Sequence, residues 1–268
     1  MNRPLRVVGQ WLAGYLTRPL FNYEPYAPVP AGRLQALLEP GDVLLVEGNT
    51  RVSAAIKYLT QSTWSHAALY IGDALGQGLD PETAPTLVEA DLNEGVIAVP
   101  LATYARFNTR ICRPIGLTEE DRGRVVAYAA SRRGQLYDLK NLIDLARYLL
   151  PTPPVPSFLR RRMLALGSGD PTRAICSTLI AQAFQSVRYP ILPCVETLCP
   201  QEQETCAYSV REVLHIRHHS LFTPRDFDLS PYFRIIKPVE AMGFDYRTLV
   251  WDDQYQAEHS PGSAHAHS

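Results

Sequence analysis

Residues 63–72 read TWSHAALYIG, a short run of small and β-forming residues that closes on Gly72-Asp73 and has one histidine near its start. Bounded by a turn signal, such a run predicts a strand. Side chains alternate along a strand, so His66 shares a face with Ala68 and Tyr70. An imidazole at the mouth of a strand, with alanines around it, has room beside it for a reactive partner.

The chain around this run is long and apolar enough to enclose such a site. Its 268 residues are 46% hydrophobic and 20% charged, which suits one good-sized domain with a substantial core. A net charge of −1 gives no electrostatic footprint for nucleic acid. No run of 18 or more apolar residues predicts a membrane span. Residues 1–21 place Leu5, Val8, Leu12 and Leu16 on one helical face beside Trp11 and Tyr15, flanked by Arg3, Arg6 and Arg18. That pattern predicts an amphipathic helix, either docked on the domain or in peripheral contact with a membrane surface, with docking favoured. Gln10 and Gly14 interrupt the stretch and no small-residue cleavage site follows, which argues against a secretory signal. Five cysteines cannot complete an internal disulfide framework, so reduced thiols and a cytoplasmic location are expected.

The prolines at 25, 28, 30 and 40 mark residues 22–40 as loop. VLLVEG after Gly41-Asp42 predicts a buried strand, and Asn49-Thr50 caps a helix over residues 51–59. Residues 74–85 read as an exposed loop. Residues 87–90 and 96–99 read as strands about an Asn93-Glu94-Gly95 turn, and residues 110–115 as one strand more. Helices are then predicted from Thr118 to about Arg133, over residues 138–150, and over residues 175–187 with Cys176 near the start. Residues 151–171 and 188–210 read as irregular, the first with a basic cluster at Arg160, Arg161 and Arg162. Strands grouped ahead of helices predict an α+β fold. The expected organisation is an N-terminal helix and loop (1–39), one main domain (40–252) and a disordered tail (253–268).

Three residues on these elements make a chemical set. A helix N-terminus and an imidazole both stabilise a thiolate, which suits Cys176 with His66. A carboxylate on a neighbouring strand, Glu89, can hold the second ring nitrogen and fix its tautomer. Taken singly, each residue has a plainer reading. Cys176 sits on an apolar helical face with Ile180, Ala183 and Val187, as a core cysteine would, and His66 could be a hydrogen-bonded structural histidine.

The blocks PGDVLLVEGNTRVSAAIKYLTQSTWSHAALYIGD, TLVEADLNEGVIAVPL, GQLYDLKN and AICSTLIAQAF span roughly residues 40–187, with histidine before cysteine. In that order they resemble the YiiX/YebB-like cysteine hydrolases. These belong to the circularly permuted branch of the NlpC-type papain-fold superfamily, alongside lecithin–retinol acyltransferase-like proteins. The later TPRDFDLSPYF resembles the same family. The resemblance implies a permuted papain-like α+β fold, with an antiparallel sheet packed against the helix that bears the nucleophile. It implies Cys176 as nucleophile, His66 as general base and Glu89 as the orienting carboxylate. Asp91, two residues on and on the same strand face, is the alternative orienter. Tyr137 resembles a tyrosine such enzymes place near the thiol. The stretches 151–170 and 194–206 depart from the pattern.

The expected activity is that of a thiol hydrolase or acyltransferase. It would cleave an amide or ester of a small peptide, amide or lipid-like substrate through a thioester, with no metal or organic cofactor. The competing expectation is a non-catalytic lipid- or ligand-binding protein that keeps the fold. Cys194, Cys199 and Cys206, followed by His215, His218 and His219, invite a zinc site, but their spacings miss the short CxxC pairs.

Overall fold

The computed structural model describes residues 14, 15, 17–19, 23–91, 94–135, 175–198, 211–215, 222–238, 245 and 247. Its centre is a six-stranded antiparallel sheet of order β4-β3-β2-β1-β5-β8, built from β1 (Val43–Val46), β2 (His66–Tyr70), β3 (Leu87–Asp91), β4 (Gly95–Val99), β5 (Thr109–Pro114) and β8 (Phe233–Ile236). A separate hairpin pairs β6 (Cys194–Leu198) with β7 (Arg211–His215). The helices are α1 (Ala31–Leu37), α2 (Arg51–Thr60), α3 (Glu119–Ser131), α4 (Ile175–Ser186) and α5 (Pro224–Leu229), with a 3-10 turn at Leu101–Tyr104.

All four residues of β1 are buried, because the sheet is covered on both faces. Val43, Leu45, Ala67, Leu69 and Val88 pack with Val125, Leu179, Ile180 and Phe184 beneath α3 and α4. Leu44, Val46, Ala68, Tyr70 and Leu87 pack on the opposite face with Leu34 of α1 and with Leu101 and Tyr104 of the 3-10 turn. The period-2 alternation of each strand therefore feeds two cores. Of the two alanines after His66, only Ala67 lies under the helix that carries Cys176, while Ala68 serves the other layer. Phe233 meets Phe184 edge-on at 5.2 Å and Phe227 at 5.6 Å, which ties β8 and α5 to α4.

Local signals explain most of these elements. The Thr50 side chain accepts from the Ser53 N–H, and Thr118 does the same for Asp121, so both helices start at side-chain caps. Two expectations are corrected. Residues 22–40 contain α1, because Ala31, Leu34 and Leu38 form a buried stripe that outweighs the prolines around it. Residues 188–210 contain β6, which needs β7 as its long-range partner and carries little strand signal by itself. The 3-10 turn, α5 and β8 have no counterpart in the sequence expectations. The predicted helix at 138–150, the loop at 151–171 and the tail at 253–268 lie outside the described residues.

In the N-terminal segment, the Arg51 guanidinium stands 4.3 Å from the Tyr15 ring centroid, and Pro19 bridges to Thr50. These residues thus lie against the start of α2. Among the described residues no helix is long and apolar enough to cross a membrane.

At the far end of β1, Asp42 is fully buried and grips Arg113 of β5 through Nε at 3.0 Å and Nη2 at 2.8 Å. Burial raises the Asp42 pKa, and the guanidinium opposes that rise. Replacing Arg113 by Met strands a buried carboxylate and is expected to cost about 3–5 kcal/mol in urea unfolding at neutral pH. A carboxyl whose folded pKa lies above its unfolded one is least costly when protonated. The deficit of R113M should therefore shrink as pH falls toward the raised Asp42 pKa, and a pH-independent deficit would contradict this account.

Candidate active site

Cys176 is the second residue of α4 and is only 5% exposed. The first N–H groups of a helix lack intrahelical partners, and its dipole favours negative charge there. Leu179, Ile180, Ala183 and Phe184 are sunk into the core, so the thiol is held at a rigid helix end. His66 opens β2 with a side chain 22% exposed, which leaves an edge of the ring reachable from outside. Its Nε2 lies 3.1 Å from Glu89 Oε2, and the imidazole also hydrogen-bonds the Cys176 thiol.

These groups meet where the sheet opens. β2 and β3 pair at Tyr70↔Leu87 and Leu69↔Val88 and then part, whereas β3 pairs with β4 along its whole length. The Ile71 N–H donates to the Thr86 carbonyl at 2.8 Å. Donors recur every second residue on one edge of an antiparallel ladder, so the Ala67 N–H is aimed the same way. With β3 turned aside, that N–H donates instead to Cys176 Sγ. The opening lets a thiol from the α4 layer and a carboxylate with the parity of the α1 layer approach one imidazole.

Burial is the largest influence on the Cys176 thiol and pushes its pKa up. The His66 charge, hydrogen bonds from His66 and the Ala67 N–H, and Ser177 more than offset it, so the net shift is downward. Burial likewise lowers the His66 pKa, but Glu89 and Cys176 carry it well above the ordinary histidine value. Burial raises the Glu89 carboxyl, and His66 and Tyr104 bring it below the usual carboxylate range. A thiolate, an imidazolium and a carboxylate in line are mutually stabilising. The other described thiol, Cys112, shows the contrast: it is buried on β5, and burial drives its pKa far up.

Glu89 and Asp91 part company at the site. Glu89 is 6% exposed and faces the imidazole, while Asp91 Oδ1 accepts from the Glu94 N–H at 2.9 Å and so closes the β3–β4 turn. Tyr137 lies outside the described residues, as do Arg160, Arg161, Arg162, Cys199, Cys206, His218 and His219. Cys194 and His215 are register partners in the β6–β7 hairpin. Among the described residues no three His, Cys, Asp or Glu side chains are grouped to hold a metal ion.

Two features have no counterpart in the sequence reading. The Tyr104 hydroxyl donates to Glu89 Oε2, the oxygen that also faces His66. Its sequence context, LATY, reads only as apolar. Trp64, just ahead of β2, donates through Nε1 to Asp228 Oδ2 at 3.1 Å. Arg110 Nη1 bonds the other oxygen of Asp228 at 2.6 Å, and its guanidinium stands 4.9 Å from the Trp64 ring centroid. Arg110 is the register partner of Leu45, which is in turn the partner of Ala67. This cluster clamps the approach to His66, and its only sequence signal was the familiar look of TPRDFDLSPYF.

Residues 37–148 match the model of a family described as a permuted papain-like amidase enzyme, YaeF/YiiX, C92. No curated protein matches the chain. Among solved structures, that of the metalloprotein yiiX from Escherichia coli O157:H7 aligns at 15% identity with a TM-score of 0.42, covering 75% of this chain and 97% of that one. The family match holds His66, Glu89 and Tyr104 and ends before Cys176. Residues 37–148 thus carry the pattern of the YiiX-like permuted papain-like amidases, on an α+β fold built around a six-stranded antiparallel sheet.

Proposed function

We propose that the chain cleaves an amide bond of a peptide-type substrate through a thioester on Cys176, with His66 as proton shuttle and Glu89 as its orienting carboxylate. The observation that carries this reading is the continuous contact from the Cys176 thiol through the His66 imidazole to Glu89. With Nε2 on the carboxylate, Nδ1 is the ring nitrogen left for the thiol. The family description supports an amide in preference to a lipid ester as the scissile group.

In the resting state the proton sits on the imidazole and the negative charge on sulfur. The thiolate attacks the carbonyl carbon, forming a C–S bond and an oxyanion within reach of the backbone N–H groups that start α4. As the C–N bond breaks, the imidazolium passes its proton to the departing amine. Water then attacks the thioester while neutral His66 takes up its proton. The acid leaves, and the thiolate–imidazolium pair is restored. Glu89 supports each imidazolium stage and holds the ring tautomer between them.

Selective labelling by iodoacetamide, read peptide by peptide in a mass spectrometer, tests the nucleophile and its activation. Cys176 should react at near-neutral pH while Cys112 stays unmodified, and His66→Ala should slow Cys176 labelling at least roughly tenfold, since one pKa unit is a factor of ten in thiolate. Labelling no faster than a free thiol, or unchanged in His66→Ala, would defeat the reading and leave the fold without the chemistry. On a cleavable peptide amide, His66→Ala should lose about 10²–10⁴-fold in kcat.

The pH dependence has a definite sign. The reactive ion pair exists above the lowered pKa of Cys176 and below the raised pKa of His66. The rate should therefore rise through an acid limb below the ordinary thiol range and fall through an alkaline limb well above pH 6.5. Glu89→Gln should draw the alkaline limb down, because removing the carboxylate lowers the His66 pKa. A limb that stays in place in the Gln variant would exclude Glu89 as the supporting charge.

A further inference from the structure

We propose that Tyr104 is a positioning residue of the triad, acting through Glu89: its hydroxyl fixes the carboxylate that in turn holds His66. This rests on the triad reading above and adds a fourth member that neither the sequence motifs nor the family description assigns.

The geometry singles this hydroxyl out. Tyr104 ends the 3-10 turn, which is pinned by the fully buried Leu101 and by the Ala102 N–H donating to the Pro81 carbonyl at 2.9 Å. Its ring is 8% exposed and packs in the apolar layer with Leu44, Val46, Ala68 and Leu87. It stands 5.8 Å from the His66 ring, tilted by 41°, and meets Phe107 edge-on at 6.0 Å. A phenylalanine would serve that packing equally well. A hydroxyl in an apolar layer carries a free-energy cost unless it is bonded, and this one is bonded to the carboxylate that faces the imidazole.

The titratable groups that face Tyr104 are Glu89 and Asp91 from β3, His66 from β2 and Cys176 from α4. Burial first, and then the negative charges of Glu89, Cys176 and Asp91, raise the phenol pKa well above its ordinary value. It therefore remains protonated and donating wherever the enzyme works, and has no part as a base. A donor on Glu89 favours the ionised carboxylate against its burial. It also restrains the carboxylate to the rotamer that meets Nε2. Loss of the donor should weaken the imidazolium, and through it the thiolate, without touching substrate.

The test is Tyr104→Phe in the full chain, read in three ways. The His66 pKa, followed by the ring resonances of isotope-labelled histidine assigned with His66→Ala, should fall by about one unit. The alkaline limb of the rate should move down with it. Turnover of a peptide amide should fall roughly 5- to 30-fold in kcat with KM within about twofold, as expected when a charge-assisted hydrogen bond acting on the reaction is lost. In a Glu89→Gln background the same change should add no further shift, because the route through Glu89 is already closed. Tyr104→Met, an apolar and flexible filler, should reproduce the result if the Phe ring settles differently. An unmoved His66 pKa and alkaline limb in both variants would overturn the proposal and leave Tyr104 a packing residue. An undiminished shift in the Glu89→Gln background would overturn the route through the carboxylate. The underlying triad stands or falls separately, on whether His66→Ala slows the labelling of Cys176.

Discussion

The parting of β2 from β3 beyond Leu69 is the constraint on which the site depends. A continuous ladder would have paired the Ala67 N–H with β3 and kept the two sheet faces apart. Cys176 belongs to the layer beneath α3 and α4, whereas Glu89 shares its strand parity with Leu87 in the opposite layer. His66, at the open end of β2, meets both. The backbone donor released by the opening is also put to use, since it bonds the thiol. Strand pairing, core packing and chemistry are therefore settled at one place in the sheet.

Three ionisable groups gathered in an interior would ordinarily neutralise themselves, because burial disfavours charge. Here burial is the largest single influence on each member, and each is nevertheless held toward its charged form by the other two or by a fixed donor. The shifts run toward charges that alternate along the contact line, negative on sulfur, positive on the ring and negative on the carboxylate, an order in which every neighbour attracts. The rigid supports matter as much as the charges. α4 is anchored by Phe184 against Phe233, β3 by its full pairing with β4, and the lead-in to β2 by the Trp64–Asp228–Arg110 clamp. A site of this kind tolerates little drift, since a carboxylate that swings away leaves only the thiol to oppose the effect of burial on the imidazole.

How far the molecule was legible in its sequence depended on whether a signal was local. Thr50 and Thr118 announce helix starts because a cap acts within three residues, and the Asn93-Glu94-Gly95 turn marks the β3–β4 hairpin for the same reason. The α1 helix escaped because its seven residues lie among prolines, and β6 because strand pairing twelve residues and more away decides its state. His66 and Glu89 stood out as residue types on adjacent predicted strands, yet parity alone left Asp91 as good a choice as Glu89. The turn bond from Glu94 and the stopped ladder separate the two, and both are matters of register. Tyr104 was hidden for a different reason: LATY carries no periodic or motif signal, and its hydroxyl has meaning only once the 3-10 turn is laid across the carboxylate.

The order of the parts along the chain gives the permuted arrangement a consequence in time. The imidazole, the carboxylate and the tyrosine hydroxyl all lie within residues 66–104, so they leave the ribosome close together. The thiol follows some seventy residues later, and Asp228 and Phe233, which brace Trp64 and α4, emerge later still. On the proposed reading the proton-handling half thus precedes the thiol in the chain, and the packing of α4 on the sheet brings the two together.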